Sequence, residues 1–315
     1  MDSQVKMLSG PFEFPKLTEE YPLYSRQLAE EIRKIDFLPD FSDDKSIFAM
    51  SDYGGEHNAA AFNTYVFLIV SVDKLSTFNE KMLQLRDLYG LNNPFKEYAY
   101  KDLQYGPIKR SLNEYLNISD KFIYGVLVTI SIDKSIPTMF GIEKNETQNQ
   151  IVKIIYNEGL GNWKKNDAEK LLRVCHPLAM FLALLVKSGQ KYLWMSDKDV
   201  INEDGKNHNF ENTRNIFVRI LRLYTDIEYD IHGFAKPFDR DPFTYDLLSL
   251  SDLAAGTIQE ILQDQLKNRI MKLNEEKETL VKWLGTSSPF LKKVNLFFER
   301  NEETWRIGNV KLSEK

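Results

Sequence analysis

The chain has 315 residues, of which 43% are hydrophobic and 28% are charged, and its formal net charge is −5. This composition is typical of a globular protein of one large or two small domains, with enough apolar material for a core that needs no disulfide or structural metal. The negative charge argues against a non-specific polyanion binder, which is usually basic, but is compatible with a local basic groove.

The N-terminal segment, residues 1–44, is predicted to be an extension that packs on the body of the protein. Four prolines interrupt it, one short helix over 28–35 fits its pattern, and four phenylalanines give it apolar surface to bury. Its start lacks the basic residues and apolar run of a signal peptide. Cys175 is the only cysteine, which excludes an intramolecular disulfide and favours a cytoplasmic protein.

The body opens with alternating strand and helix signals. Residues 46–50 are predicted to form a strand that leads into Asp52 and the turn at Gly54 and Gly55. The following segments are predicted as a strand over 64–71, a helix over 74–89, an extended or loop segment over 97–103, a helix over 108–119 and a buried strand over 122–132.

The alternation continues in the second half of the body. Residues 134–166 are polar and predicted as a loop, after which Asp167 caps a helix that runs to Val186 and that Pro177 kinks or splits. Its apolar stretch, 178–186, is about half of the ~20 residues that span a bilayer, so we expect a buried helix. The last elements are predicted as a strand over 191–195 before Asp197, a helix over 213–224, an edge strand over 227–231, and a helix that Ser249 or Ser251 caps and Asp252 opens.

Interleaved strands and helices predict an α/β fold with a mixed central sheet flanked by helices. We place the main domain at 45–262, between the N-terminal extension and a C-terminal helical extension over 263–315. Aromatic residues in 286–315 indicate that this second extension also packs on the body.

Several familiar catalytic signatures are missing from the sequence. Cys175 and His176 are neighbours, but adjacent residues of a helix point about 100° apart, and Cys175 is expected in the core. No spacing of His or Cys fits a zinc site. The motifs of serine hydrolases, P-loop enzymes and dinucleotide-binding domains are absent as well.

Three aspartates lie where α/β folds build sites. Asp52 and Asp197 follow predicted strands, and Asp252 opens a helix whose next residues are small enough to let it approach the sheet. Converging carboxylates repel unless a divalent cation screens them, and oxygen ligands favour Mg²⁺ or Mn²⁺. Each aspartate alone also fits a structural role in a turn or helix cap, so the hypothesis depends on their joint placement.

The residues around these aspartates form runs that resemble a known family. The runs are Phe48-Ala-Met-Ser-Asp52-Tyr-Gly-Gly55, Glu97-Tyr-Ala-Tyr-Lys101-Asp-Leu103, Leu193-Trp-Met-Ser-Asp197 and Leu248-Ser-Leu-Ser-Asp252-Leu-Ala-Ala255. Over 46–262 the chain resembles the ribonuclease H-like superfamily and, within it, the bacterial family called domain of unknown function 3800. Ser249 stands where that family usually has Gln.

The resemblance implies a carboxylate site drawn from a first strand, a loop, a later strand and a late helix. In this chain, Asp52, Glu97, Asp197 and Asp252 take those places, and Asp52, Asp197 and Asp252 would hold two ions of Mg²⁺ or Mn²⁺.

Further residues near such a site have implied or alternative roles. Lys101 and Lys198 are expected to contact phosphate, and Asp199 and Asp133 are the alternatives to Asp197. Three tyrosines are expected nearby, either stacked on exposed bases or simply packed: Tyr53, Tyr98 and Tyr100.

The favoured function is a metal-dependent nuclease that cleaves RNA or DNA by a two-metal mechanism. A catalytically silent scaffold of the same fold, which binds a protein or nucleic acid, is the first alternative, and a hydrolase of small phosphoesters is the second. We expect a nucleic-acid substrate, no membrane contact, and a protein partner or homo-oligomer as further options. The resemblance also implies a role in bacterial defence.

Overall fold

The structure is a computed structural model that describes residues 6–302, 304–310 and 312. Its helices are α1 (Leu23–Arg33), α2 (Ser76–Tyr89), α3 (Gly106–Phe122), α4 (Lys144–Asn157), α5 (Lys165–Leu185), α6 (Phe210–Tyr224), α7 (Pro242–Lys267) and α8 (Glu275–Gly285). Its strands are β1 (Met7–Ser9), β2 (Phe37–Pro39), β3 (Ser46–Gly54), β4 (Phe62–Ser71), β5 (Gly125–Asp133), β6 (Lys191–Ser196), β7 (Ile231–Ala235), β8 (Leu291–Asn301) and β9 (Thr304–Asn309).

Seven strands form the central sheet in the order β7-β6-β3-β4-β5-β8-β9, and β1 and β2 form a separate two-stranded ribbon. β3, β4 and β5 are antiparallel neighbours, whereas β6 is parallel to β3, β7 to β6 and β8 to β5. β9 returns antiparallel to β8. The predicted fold class, a mixed α/β sheet flanked by helices, is therefore confirmed.

Helices cover both faces of this sheet because its central strands are apolar on both. In β3, Ile47 and Ala49 pack into the core shared with α1, α5 and α6, whereas Phe48 and Met50 pack against the core of α2, α3, α7 and α8. β5 is buried along its whole length, as its continuous apolar and β-branched sequence predicts. Asp52 is two residues after Met50 in the same strand, so its side chain points to the same face of the sheet as Phe48 and Met50, which is the face that α7 covers.

The helix that carries Asp252 begins earlier than the sequence analysis predicted. α7 starts at Pro242, and the side chain of Asp241 caps it by accepting the backbone N–H of Thr244 at 3.1 Å. An Asp N-cap followed by Pro at the first helical position is a strong start signal. Asp252 is therefore an interior residue of α7, and neither Ser249 nor Ser251 caps it.

The long helix α5 also differs from its prediction. It starts at Lys165, so Asp167 lies in its first turn, and it passes through Pro177 without a break. A proline leaves the carbonyl four residues earlier without its helical partner, which here is Arg173. The hydroxyl of Tyr24 in α1 donates to that carbonyl at 3.0 Å. The N-terminal extension thus satisfies the group that the proline frees.

Two segments hold more regular structure than their sequence patterns suggested. Residues 134–166, predicted as a loop, contain α4. The C-terminal segment, predicted to be helical, contains α8 and then β8 and β9, which extend the central sheet beyond β5. In β8, Val294, Leu296 and Phe298 all pack into the α1/α5 core, and this period of two is the pattern of a strand.

The edge strand predicted at 227–231 occurs later in the chain, as β7. Residues 178–185 of the apolar stretch lie within α5, Val186 is its C-cap residue, and the stretch is buried for most of its length, as expected. In the part of the chain that the structure describes, no helix combines the length and the apolar character that a membrane crossing needs.

Candidate active site

The pairing of β3 with β6 places two of the predicted carboxylates side by side. These strands are parallel, and Ser51 of β3 lies opposite Ser196 of β6. The backbone N–H of Asp197 donates to the carbonyl of Ser51 at 3.1 Å. Asp52 and Asp197 are therefore neighbours at one edge of the sheet, although β3 continues past Asp52 to Gly54 rather than ending before it.

Helix α7 brings Asp252 to the same place because it crosses β3 at close range. A Cβ added at Gly54 would lie 3.3 Å from the Cβ of Ala255, so small residues on both elements permit this approach. The carboxyl groups of Asp52 and Asp252 are within hydrogen-bonding reach of each other. The two members of the predicted set that lie farthest apart in sequence thus meet directly.

Backbone N–H groups orient both members of this pair. The N–H of Tyr100 donates to Oδ2 of Asp252 at 2.7 Å, and the N–H of Tyr53 donates to Oδ1 of Asp52 at 2.8 Å. A carboxylate that accepts a backbone N–H is held in one rotamer and keeps its other oxygen for a further partner.

Burial and neighbouring negative charges raise the pKa values of the pair. The pKa of Asp52 lies well above its ordinary value, first because the group is removed from water and then because Asp252 and Asp197 are negative. Burial also raises the pKa of Asp252, against the stabilising N–H of Tyr100. Two interacting carboxyl groups of this kind titrate as a coupled pair.

Glu97 faces this pair from the loop between α2 and α3. Its pKa is raised by burial and then by the charge of Asp197, while Lys101 acts in the opposite direction. Lys101 is exposed on the short turn after Glu97, and its charge also lowers the pKa of Asp252. Asp197 therefore acts electrostatically on both aspartates of the pair, and the charge of Asp252 in turn raises the pKa of Glu97.

A buried ion pair ties the loop of Glu97 to the helix of Asp252. Arg86 in α2 and Asp246 in α7 have side chains that are 0% and 1% exposed, and Nε of Arg86 donates to both carboxylate oxygens at 3.0 and 2.9 Å. Nη1 of Arg86 donates to the carbonyl of Lys96 at 2.8 Å, next to Glu97. Neither residue was assigned a role from the sequence. Their opposite charges lie 160 residues apart in the chain, so no local pattern pairs them.

The other predicted residues fall into two groups. Lys198 is exposed beside Asp197, and its backbone N–H donates to Oδ1 of that aspartate at 2.7 Å. The two alternatives to Asp197 are committed to ion pairs elsewhere, since Asp199 contacts Lys170 at 2.5 Å and Asp133 contacts Lys267 at 2.6 Å. The structure therefore pairs Asp52 with Asp252, places Asp197 and Glu97 nearby, and engages both alternatives to Asp197 in ion pairs elsewhere.

The three tyrosines that were expected near the site all contact other residues of the protein. Tyr98 is 1% exposed, stacks on Tyr115 at 4.1 Å and bonds Ser111, so it cannot stack on a base. The hydroxyl of Tyr53 lies 2.9 Å from Oγ of Ser51 on the α5 side of the sheet. The ring of Tyr100 packs against Gly256. Of the two expected roles, stacking on bases or packing within the protein, these three tyrosines therefore take the second.

The Asp52–Asp252 pair fits a divalent cation by the chemistry of its donors. All are oxygens, which Mg²⁺ and Mn²⁺ prefer. No cationic side chain forms an ion pair with either aspartate among residues 6–302. Within the described ranges, however, no three His, Cys, Asp or Glu side chains are already gathered closely enough to hold a metal ion. Direct contact is thus limited to two carboxylates, with Asp197 and Glu97 nearby.

No protein-family model and no curated protein matches this sequence. Among solved structures, the chain is similar to ribonuclease H2 from Pyrococcus horikoshii OT3, with 11% identity, coverage of 78% of this chain and 91% of that chain, and a TM-score of 0.33. A similarity of this size carries no argument about activity. The resemblance to domain of unknown function 3800 therefore stays a prediction, and the function must be inferred from the site itself.

Proposed function

We propose that this protein is a divalent-cation-dependent nuclease that hydrolyses phosphodiester bonds of RNA or DNA. The interaction between Asp52 and Asp252 carries the proposal, because it places two half-buried acidic groups together and, among the described residues, no cationic side chain forms an ion pair with either. Such an arrangement is costly for stability alone and is typical of a functional site. The role in bacterial defence is a finer part of the proposal that depends only on the family resemblance.

Asp52, Asp197 and Asp252 would hold Mg²⁺ or Mn²⁺, which supplies Lewis-acid polarisation of the phosphate and a lowered pKa for bound water. Both Asp52 and Asp252 would have to be ionised to hold the cation. The N–H of Tyr100 keeps the carboxylate of Asp252 oriented. Glu97, whose pKa is raised, is suited to position the attacking water and accept its proton.

Lys101 and Lys198 complete the proposed machinery. Both are exposed on the two sides of the carboxylates, one on the turn after Glu97 and one directly after Asp197. A lysine ammonium binds a phosphate oxygen as a point charge. These residues would hold the non-bridging oxygens of the scissile phosphate.

Cleavage of labelled RNA and DNA oligonucleotides in Mg²⁺ or Mn²⁺ tests the proposal. We expect EDTA to abolish cleavage, and Asp52→Asn and Asp252→Asn each to lower it by about 100-fold or more, because each removes a charge that meets the reacting phosphate through the cation. Asp230→Asn is the matched control, since this exposed carboxylate precedes β7 at the opposite end of the sheet.

Other results would replace the proposal. Cleavage that survives both site variants would exclude this pair as the catalytic site. Hydrolysis of small phosphodiesters without cleavage of oligonucleotides would favour a small phosphoester hydrolase, and nucleic-acid or protein binding without any hydrolysis would favour a silent scaffold.

A further inference from the structure

Helix α8 lies in the C-terminal segment that was predicted as an extension, yet it contacts the loop that carries Glu97. We refer to residues 96–105, which lie between α2 and α3, as the Tyr100 loop. This loop gives the candidate site the backbone N–H of Tyr100, which donates to Oδ2 of Asp252 at 2.7 Å. Whatever holds the Tyr100 loop in place therefore also determines how Asp252 is oriented.

Tyr100 lies along one face of α7. This face carries Asp252, Gly256 and Glu260, because residues four apart in a helix lie one turn above another. The backbone N–H of Tyr100 contacts Asp252, and its ring packs at Gly256. Burial raises the pKa of its hydroxyl, and the negative charge of Glu260 raises that pKa further. The backbone, the ring and the hydroxyl of Tyr100 therefore lie against three successive turns of α7.

Lys277 of α8 contacts both Tyr100 and Glu260. Its Nζ lies 5.5 Å from the centre of the Tyr100 ring and donates to the two carboxylate oxygens of Glu260 at 2.7 and 2.6 Å. A cation over the face of an aromatic ring is attracted by it. Only 20% of the Lys277 side chain and 28% of the Glu260 side chain are exposed, so water screens these contacts less than it screens contacts at the open surface. Lys277 thus connects the ring of Tyr100 to the helix that carries Asp252.

A second contact from α8 holds the end of the Tyr100 loop. Nε2 of Gln104 donates to Oε2 of Glu276 at 2.7 Å, and Nζ of Lys109 in the first turn of α3 lies 2.5 Å from Oε1 of the same carboxylate. Glu276 is only 3% exposed. The side chain of Asn274 caps α8 by accepting the N–H of Lys277 at 3.0 Å. Two adjacent residues of a capped helix therefore contact the Tyr100 loop at two points.

We propose that Lys277 is a positioning residue of the candidate site, which keeps the N–H of Tyr100 on Asp252 through its contacts with the Tyr100 ring and Glu260. This inference rests on the proposed function, in which Asp252 holds a divalent cation. Without the ammonium, the ring loses a contact and Glu260 becomes a mostly buried charge without its ion-pair partner. We therefore expect the ring, and the N–H with it, to move away from α7. The inference gives the C-terminal segment a part in the site.

Selective ¹⁵N labelling of tyrosine reports on the N–H of Tyr100 directly and needs no metal or substrate. The chain has 15 tyrosines, and Tyr100→Phe identifies the signal of Tyr100 because it removes that signal from the ¹H–¹⁵N spectrum. Lys277→Met keeps most of the length of the side chain but not its charge. In EDTA, we expect this variant to shift the Tyr100 signal and to speed the hydrogen exchange of its N–H by about 10-fold or more. Tyr65 in β4 should exchange as in the wild type.

Two matched variants separate positioning from a general effect on stability. Lys277→Arg keeps a cation over the ring and beside Glu260, so it should restore the wild-type exchange of Tyr100. Lys282→Met removes an exposed lysine from the same helix, and it should leave the Tyr100 signal unchanged. A role in overall stability alone would speed the exchange of Tyr65 as much as that of Tyr100.

The affinity for Mn²⁺ connects this positioning to the candidate site. Groups that orient a metal ligand typically contribute about 10-fold or more to metal affinity. In a thermal-shift titration, we therefore expect Lys277→Met to need about 10-fold more Mn²⁺ than the wild type, and Lys277→Arg to need about the same concentration as the wild type.

An unchanged Tyr100 signal and exchange rate in Lys277→Met would overturn the inference, and so would equal acceleration of Tyr100 and Tyr65. Wild-type Mn²⁺ affinity in Lys277→Met would overturn it as well. Metal-dependent cleavage by the wild type would leave the nuclease proposal standing in each of these cases. Conversely, selective acceleration at Tyr100 in a protein that neither binds Mn²⁺ nor cleaves nucleic acid would support the positioning of Tyr100 by Lys277 and contradict the nuclease.

Discussion

Asp52 and Asp252 are in contact in a place where burial and repulsion raise both of their pKa values. In the unfolded chain each aspartate would titrate near pH 4. The folded protein without a bound cation therefore holds protons more tightly than the unfolded chain does. Since stability falls with rising pH wherever the folded state binds more protons, these two groups make the cation-free protein less stable as the solution becomes less acidic.

Asp52→Asn should remove most of this pH dependence, because it leaves one carboxyl group next to a neutral amide. In EDTA, we expect the wild-type melting temperature to fall relative to that of Asp52→Asn as the pH rises from about 4 through the raised pKa. At pH 7.5 the variant should be the more stable protein. Thermal melts across this range measure the difference.

Asp230→Asn is the reference for that experiment, since its exposed carboxylate has only a weak ion pair at 3.8 Å. Its melting curve should follow the wild type at every pH. Parallel pH profiles for the wild type and Asp52→Asn would mean that the pair carries no excess repulsion.

At the level of residues, sequence alone selected Asp52 and Asp252, which the structure places together, and Asp197 and Glu97, which lie nearby; the catalytic role of all four remains a proposal. The reason is local: an aspartate directly after an apolar strand lies at the edge of a sheet, where α/β folds bind ligands. The aromatic partners could not be selected in the same way. Tyr98 and Phe95 are both in the loop before α3, and only tertiary packing buries Tyr98 and leaves Phe95 half-buried at the edge of a surface pocket.

At the level of elements, α7 positions the site through a contact with the loop that follows Glu97. Gly256 lies one turn after Asp252, and a Cβ built on it would come within 2.3 Å of Cγ of Tyr100. The same Tyr100 gives its backbone N–H to Asp252. The missing side chain at Gly256 therefore lets the loop approach the helix closely enough to orient the carboxylate.

Gly256→Ala should displace Tyr100 and weaken its bond to Asp252. We expect a loss of about 1–3 kcal/mol in the free energy of unfolding, which is typical of overpacking, and a larger fall in nuclease activity than this stability loss explains at a temperature where the variant is folded. Urea denaturation and cleavage assays measure the two effects separately.

Gly106→Ala is the matched control, because its added Cβ would meet only the end of the flexible Arg110 side chain at 3.2 Å. It should leave both properties close to wild type. Full activity in Gly256→Ala would show that Tyr100 does not orient Asp252.

The elements also show where sequence patterns fail. Asp241 and Pro242 form the pattern of a helix start at the beginning of α7. Ser249 and Ser251, which are closer to Asp252, fit an N-cap equally well by residue type. The continuity of α5 through Pro177 could not be foreseen, because the compensating hydroxyl of Tyr24 comes from α1, 149 residues from its acceptor. Helix propensity is a property of the local sequence, whereas the continuity of α5 depends on a residue that is distant in the chain.

At the level of the whole molecule, the alternation of strands and helices was enough to predict the mixed α/β class. It did not reveal that the C-terminal segment completes the sheet through β8 and β9. β8 is parallel to β5, and its partner residues lie more than 160 positions earlier in the chain. Such long-range pairing leaves only a short alternating pattern in the sequence.

Titration of the protein with Mn²⁺ in a thermal-shift assay decides whether the carboxyl pair is a cation site. A ligand that binds only the folded state at 100 times its Kd stabilises it by about 2.7 kcal/mol, so the wild-type melting temperature should rise with Mn²⁺. The rise should persist in Asp230→Asn and disappear in Asp52→Asn and Asp252→Asn. No rise in the wild type, or an equal rise in the two site variants, would contradict a cation site at Asp52 and Asp252.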